Sequence, residues 1–196
     1  ANAIDDLSTY FMIANRNKKS VTLNLKSPRG KEIFTELVKD ADVVVENFRP
    51  GVMKRLGFGY EDLKKINPRI IMTSVTGYGQ DGPYSHRPSF DSVAQAMGGL
   101  MNQTGDDKPV PAGTWVGDYS GGLYAAFGTV LALLQREFSG EGQHVDVSLL
   151  DSIVSWLRTS PQDFLLFGKK HQRKGARDTY RCPVGAFETA DGYMYI

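Results

Sequence analysis

Of its 196 residues this chain spends only one on cysteine, Cys182, and three on histidine, His86, His144 and His171, which stand far apart. A lone cysteine excludes an internal disulfide framework and suits a reducing compartment, so a cytoplasmic location is expected, or the mitochondrial matrix if the source is eukaryotic. Isolated histidines leave little material for a zinc site, and no metal is expected. With 23 Lys and Arg against 22 Asp and Glu the net charge is +1, which offers no global attraction to nucleic acid or to an acidic membrane surface. The longest apolar stretch, Gly121 to Leu134, contains three glycines and falls short of the ~20 residues a membrane-spanning helix needs. No membrane partner is expected, and no secretory leader is read at Ala1. Also missing are the G-x-x-x-x-G-K-[ST] loop, the G-x-S-x-G elbow and the H-E-x-x-H run, which removes the usual signatures of NTPases, serine hydrolases and zinc proteases.

What is there is a chain 41% hydrophobic and 23% charged, enough for a buried core. Ser20 to Leu25 alternates and is β-branched, predicting a strand. Ser27-Pro28 opens a helix whose Ile33, Phe34, Leu37 and Val38 fall on one face. Asp42 to Asn47 and Arg69 to Thr76 read as strands covered on both faces, with short helices to Leu56 and from Tyr60 to Ile66 between them. A helix is expected from Asp91 to about Met101. A long one opens at Asp118 and carries Tyr124, Phe127, Val130, Leu131, Leu133 and Leu134. After the turn Gly140-Glu141-Gly142 come a strand, His144 to Ser148, and a helix from Leu149 to about Phe167. Alternating strands and helices with short connections predict an α/β domain of Rossmann-like type, a parallel sheet flanked by helices. The basic, glycine-bounded run Gly168 to Lys174 reads as a linker into a second, small domain that Ile196 cuts inside a strand, so the chain reads as a fragment.

Gly77-Tyr78-Gly79-Gln80-Asp81-Gly82 matches G-x-G-x-x-G after a strand, but Pro83 and Pro88 interrupt the helix a dinucleotide site requires and no acidic residue follows at the ribose position. The glycines are better read as shaping a strand-to-loop turn. The cations from Arg16 to Lys19, with Lys26, fit either a solvated strand edge or a phosphate site. Asn47, Phe48 and Arg55 gather at the carboxyl end of a strand, where open parallel sheets bind ligands. An adenine beside Phe48 with phosphates near Arg55 and Lys26 would use all of them; a turn with a core Phe is the plainer alternative.

Carboxylates remain. Asp118, in Gly117-Asp118-Tyr119-Ser120-Gly121-Gly122, sits at the mouth of the long helix. There it reads either as a plain N-cap or as an ionised nucleophile, held charged by unpaired N–H groups and the helix dipole. Asp91 is the second candidate. Asp151 reads as a helix cap, and Asp146, in a strand, as a catalytic candidate or a buried hydrogen-bonded group.

At these residues the chain resembles the class III CoA-transferases, the family of formyl-CoA transferase and carnitine CoA-transferase, which includes the α-methylacyl-CoA racemases. The resemblance runs through Asn15-Arg16-Asn17-Lys18-Lys19-Ser20, Ala41 to Gly57, Ser74 to Gly79, Phe90-Asp91 with Ala94-Gln95, Gly117-Asp118 and Gly140-Glu141-Gly142-Gln143. It implies a Rossmann-like CoA-binding large domain over residues 1–167, preceded in the family by a strand, helix and strand missing here. It also implies a linker and the start of a truncated small domain over 168–196, and an interlocked homodimer. By the same resemblance Asp118 is the catalytic aspartate and Leu23, Lys26, Asn47, Phe48 and Arg55 contact CoA. Asp91, Gly121 and Gly122 are candidates for the substrate site, and backbone N–H groups around the two glycines are expected as oxyanion donors. The implied reaction moves CoA from an acyl-CoA donor to a carboxylic acid acceptor through aspartyl anhydride and aspartyl-CoA intermediates. The alternative is an α-methylacyl-CoA racemase or another acid/base acyl-CoA enzyme; a nucleotide-binding or assembly module without catalysis is a third reading. Racemases of the family place a His before the aspartate that aligns with Asp91; Phe90 stands there, which favours CoA transfer.

Overall fold

A computed structural model describes residues 3–4, 7–178 and 180–196. The chain divides into two compact units, Ala1–Thr35 and Glu36–Ile196.

In the first unit β1 (Ala3–Ile4) pairs antiparallel with β2 (Leu7–Ser8). The helix α1 (Thr9–Ala14) follows, its first turn capped by Ser8, whose side chain accepts the Phe11 N–H at 3.1 Å. The strand expected over Ser20–Leu25 is absent: the segment carries no regular structure. β-branched composition favours an extended chain, but a strand exists only through its ladder, and this segment has no ladder partner among the described residues. It ends in a turn in which the Asn24 side chain accepts the Lys26 N–H. The helix α2 (Pro28–Asp40) then starts as the sequence predicts, with the Ser27 hydroxyl accepting the Gly30 N–H at 3.0 Å.

The second unit is built on a parallel three-stranded sheet, β3 (Val43–Glu46), β4 (Ile71–Thr76) and β5 (His144–Ser148), in that order. Two short helices, α3 (Val52–Leu56) and α4 (Tyr60–Ile66), connect β3 to β4. The helices α5 (Asp91–Met97) and α6 (Val116–Ser139), with a 3-10 turn at Leu100–Asn102, connect β4 to β5. The central strand β4 is buried almost end to end, as expected of a strand covered on both faces, its Thr73, Ser74 and Thr76 included. Strand β3 departs from that reading. Val45 is 67% exposed, because β3 is the edge of the sheet among the described residues.

Alternation along the strands sorts the two faces. Thr73 hydrogen-bonds Thr129 of α6 at 2.7 Å, whereas the neighbouring Ser74 turns to His144, whose ring stacks on Tyr60 of α4. Helix α6 thus covers one face and α4 reaches the other. Within the second unit Asn67, just after α4, donates to the carbonyls of Val38 and Ala41, which lead into β3. At the amino edge, Arg136 of α6 is buried and reaches the Arg69 carbonyl and the Asp42 carboxylate.

Helix α6 contains one reversal of expectation. Its buried positions are the small residues Gly117, Ser120, Gly121, Ala125 and Ala132, together with Arg136. Phe127, Val130, Leu131 and Leu134, the apolar residues by which the sequence marks this helix, are each about half exposed or more. Small residues let the helix axis approach the sheet closely, so the bulky ones are turned outward. The helix expected over Leu149–Phe167 is two, α7 (Leu149–Ser155) and α8 (Ser160–Phe167). Arg158 between them adopts φ 58°, outside the helical region, and Pro161 starts a new helix rather than continuing one. Likewise α5 stops at Met97, where Gly98 and Gly99 permit the turn into the 3-10 segment. The segment Gly168 to Lys174 has no regular structure, and the last strands, β6 (Ala186–Glu188) and β7 (Tyr193–Tyr195), form a hairpin across the turn at Ala190–Gly192. No helix among the described residues is long and apolar enough to cross a membrane.

Candidate active site

Helix α6 begins where β4 and β5 end. A Cβ built on Gly121 would lie 3.7 Å from Val75 near the end of β4 and 2.4 Å from Leu149, just past the end of β5. This places the first turn of α6 at the carboxyl edge of the sheet, the side on which parallel α/β sheets bind ligands.

Asp118 lies in that first turn but is not the cap. The N-cap is Trp115, whose indole can donate but not accept. The acceptor comes instead from α5. Asp91 Oδ1 accepts the backbone N–H of Gly117 at 2.7 Å and that of Asp118 at 3.2 Å. Asp91 Oδ2 accepts a hydrogen bond from Gln95 Nε2 at 2.6 Å. Asp91 is 7% exposed and Gln95 1%, and hydrogen bonds of a buried charge are worth about 1.5–3 kcal/mol each. Gln95 continues the network: its Oε1 accepts the Ala112 N–H at 2.9 Å and its Nε2 donates to the Thr114 carbonyl.

Between α5, the 111–115 loop and the mouth of α6 opens a cavity of ≈ 530 Å³ lined by Phe90, Asp91, Gln95, Ala112, Trp115 and Asp118, among others. Asp118 faces it with an accessible carboxyl. Partial burial pushes that carboxyl above its ordinary value, and the negative charge of Asp91 pushes it the same way. The helix dipole therefore does not dominate as the sequence reading expects: the neighbouring aspartate already holds the amides that would have lowered the pKa. A carboxylate with raised basicity, accessible and facing a largely apolar wall, is a competent oxygen nucleophile.

The other predicted residues divide. Gly121 is buried and packs on Leu149, while Gly122 faces open space. Both lie past the first turn, where each N–H points to the carbonyl four residues back, so the expected oxyanion donors are engaged in the helix. Asp91 is in place, but as an anchor with both oxygens occupied. Asn47 and Phe48 follow β3 directly, and Arg55 lies in α3. The Asn47 side-chain amide donates to the Val75 carbonyl, the Phe48 ring is 47% exposed, and Arg55 folds back so that a Cβ on Gly51 would meet its Nη1 at 3.1 Å. Val75 joins the two halves of this edge, bonded to Asn47 on one side and adjacent to Gly121 on the other. Leu23 and Lys26 belong to the first unit, Leu23 half-buried and Lys26 exposed.

Asp146 is exposed and hydrogen-bonded, its Oδ2 accepting the Gln80 N–H at 2.8 Å. It thereby fixes the Gly77–Gly79 turn, which is a loop as predicted. Asp151 is not a cap, because Ser148 supplies that acceptor. The residue that sequence reasoning missed in its role is Gln95. Its signal was the spacing Asp91-x-x-x-Gln95, which puts two polar side chains on one helix face. Among the described residues no three His, Cys, Asp or Glu side chains cluster as a metal site requires.

An accessible carboxylate at the carboxyl edge of a parallel α/β sheet defines a class of site, and comparison with known proteins supplies the family. The model of CoA-transferase family III matches residues 1–196, and the chain belongs to that family. It is 44% identical over 191 residues to an acetyl-CoA:oxalate CoA-transferase of Acetobacter aceti, covering 96% of this chain and 49% of that protein. It is 46% identical over 192 residues to a succinyl-CoA:glutarate CoA-transferase of Mus musculus, covering 96% and 44%. The crystal structure of a CAIB/BAIF family protein from Brucella suis superposes with a TM-score of 0.85 at 38% identity, over 93% of this chain and 49% of that one. The chain thus spans about half the length of the curated relatives it matches.

Proposed function

We propose that the protein carrying this chain transfers CoA from an acyl-CoA donor to a carboxylic acid acceptor, with Asp118 as the nucleophile. The observation that carries the reading is the accessible Asp118 carboxyl at the mouth of α6, its basicity raised, facing the cavity on the carboxyl edge of the sheet. An Asp118 oxygen attacks the thioester carbonyl of the donor; the C–S bond breaks, CoA leaves as its thiolate, and an acyl-aspartyl anhydride remains. The thiolate attacks the aspartyl carbonyl, releases the donor acid and leaves an aspartyl-CoA thioester. The acceptor carboxylate then attacks that thioester and expels CoA thiolate, which takes the acceptor acyl group and frees Asp118. Each step exchanges leaving groups of similar energy, and no proton is consumed overall.

Asn47, Phe48 and Arg55 are the CoA-side residues of this proposal in the second unit: a ring face for the adenine and a guanidinium for phosphate. Leu23 and Lys26 are proposed to serve CoA from the first unit. An exposed Phe90 at the N-cap of α5 supplies no second base, which favours acyl transfer over α-proton exchange. A homodimer, and a second small domain beginning in residues 168–196, belong to the same proposal. The test is Asp118→Ala in the full-length protein, assayed with an acyl-CoA and a panel of acids including oxalate and glutarate. Turnover is lost, and wild-type enzyme quenched with donor alone yields a peptide containing Asp118 heavier by covalent CoA. Near wild-type transfer by the variant refutes the assignment.

A further inference from the structure

We infer that Asp91 and Gln95 form a positioning clamp for the nucleophile, Asp91 setting the first turn of α6 and Gln95 setting the facing loop. The inference rests on the reading of Asp118 as the nucleophile. A helix mouth ordinarily takes its capping acceptor from its own N-cap residue. Here the N-cap is a tryptophan and the acceptor is a buried carboxylate from another helix, bonded to the amide of the nucleophile itself. Asp118 projects from the very peptide that Asp91 holds. The other Asp91 oxygen is tied to Gln95, which grips the opposite wall at Ala112 and Thr114. One pair of side chains, four residues apart on α5, therefore fixes both walls of the cavity to each other. Among the described residues lining it, from α5, the loop and α6, Asp91 is the one titratable group that faces Asp118.

The arrangement separates two kinetic effects. Displacing a reacting group by about 1 Å costs ~10²-fold in rate, so Asp91→Ala lowers kcat per folded molecule ~10²-fold while KM for acyl-CoA stays within a few-fold. Asp91→Asn, which retains an oxygen acceptor for the two amides, recovers much of that loss. It also moves the acid limb of the pH profile to lower pH, because a negative charge beside Asp118 is gone. Gln95→Ala, which frees the loop and not the nucleophile, raises KM more than it lowers kcat. If Asp91→Ala does not fold, Gly117→Ala decides: its Cβ falls 3.0 Å from Asp91 Oδ1, so the carboxylate must give by a few tenths of an ångström with no hydrogen-bonding group deleted, and kcat falls by a smaller factor with KM retained. Full kcat per folded Asp91→Ala molecule, or for a folded Gly117→Ala variant, overturns the clamp, as does an unmoved acid limb in Asp91→Asn. If instead Asp118→Ala still transfers CoA, the nucleophile assignment fails first, so the two failures are told apart.

Discussion

Adjacent glycines in one helix should respond to the same substitution with different outcomes. Gly121 and Gly122 both lie inside α6, and replacing a helical glycine by alanine ordinarily gains about 0.8–1 kcal/mol. Around Gly122 a new Cβ meets nothing within 4 Å, so Gly122→Ala should realise that gain. At Gly121 the Cβ falls 2.4 Å from Leu149 Cδ2, more than an ångström inside the usual carbon–carbon contact. Leu149 has little room to retreat, since it is 7% exposed and packed with Ala94 and Ile153. Overpacking of this kind costs about 1–3 kcal/mol, which cancels or reverses the propensity gain. The two variants should therefore differ by about 1–3 kcal/mol, with Gly122→Ala the more stable. At ~2–4 °C per kcal/mol for a chain of this size, thermal midpoints separate by roughly 2–12 °C. Circular dichroism melts of the two single variants in one buffer give the comparison. Coincident midpoints, or Gly121→Ala the more stable, would refute the packing argument.

The raised pKa of Asp118 carries a sign for both rate and stability. In the proposed reaction Asp118 attacks as the ionised carboxylate, so kcat/KM should rise with pH along a limb lying above the ordinary aspartate range; a limb at or below that range contradicts the environment described. For stability, the folded state holds the Asp118 proton more tightly than the unfolded chain, so stability is lost as pH rises from the unfolded pKa through the folded one. Asp118→Asn, which cannot ionise, should accordingly melt higher than wild type at neutral pH while losing transfer; a lower midpoint counts against it. At the far edge of the sheet, Gly142→Ala would place a Cβ 1.8 Å from the Ile70 carbonyl oxygen. It must displace the turn that bonds Gly142 N–H to Pro68 and Tyr60 to the Gly142 carbonyl. At about 1 kcal/mol for each hydrogen bond plus backbone strain, a loss of about 2–3 kcal/mol is expected from urea unfolding, and a loss below ~0.5 kcal/mol rejects it.

The sheet was legible because a short segment rich in apolar and β-branched residues, such as Ile70 to Thr76, marks a strand, and because Ser27-Pro28 announces a helix by local chemistry alone. What failed to show depended on partners. Val21 and Thr22 have strand-like side chains, yet a strand needs a neighbour that composition does not supply. Phe127 and Leu134 are apolar at helical spacing, but hydrophobic period identifies a face without saying which face meets the sheet; Gly121 and Ala125, which carry little hydrophobic signal, are the ones that do. Arg158, with its positive φ, splits a helix that the apolar count alone extends through Phe167. At the site Asp118 was placed within two residues of the helix start, whereas its relation to Asp91 was invisible because 27 residues separate the carboxylate from the amide it caps.

That distance has a consequence for the order of assembly. The opening turn of α6 receives its acceptor from α5 and cannot complete itself from neighbouring sequence, so this end of the helix is native only while α5 is docked. Any local opening that lifts α5 exposes the amides of Gly117 and Asp118 to solvent exchange and, on the proposed function, disarms the site at the same moment. If Asp118 acts as proposed, activity and amide protection at these two positions should be lost together.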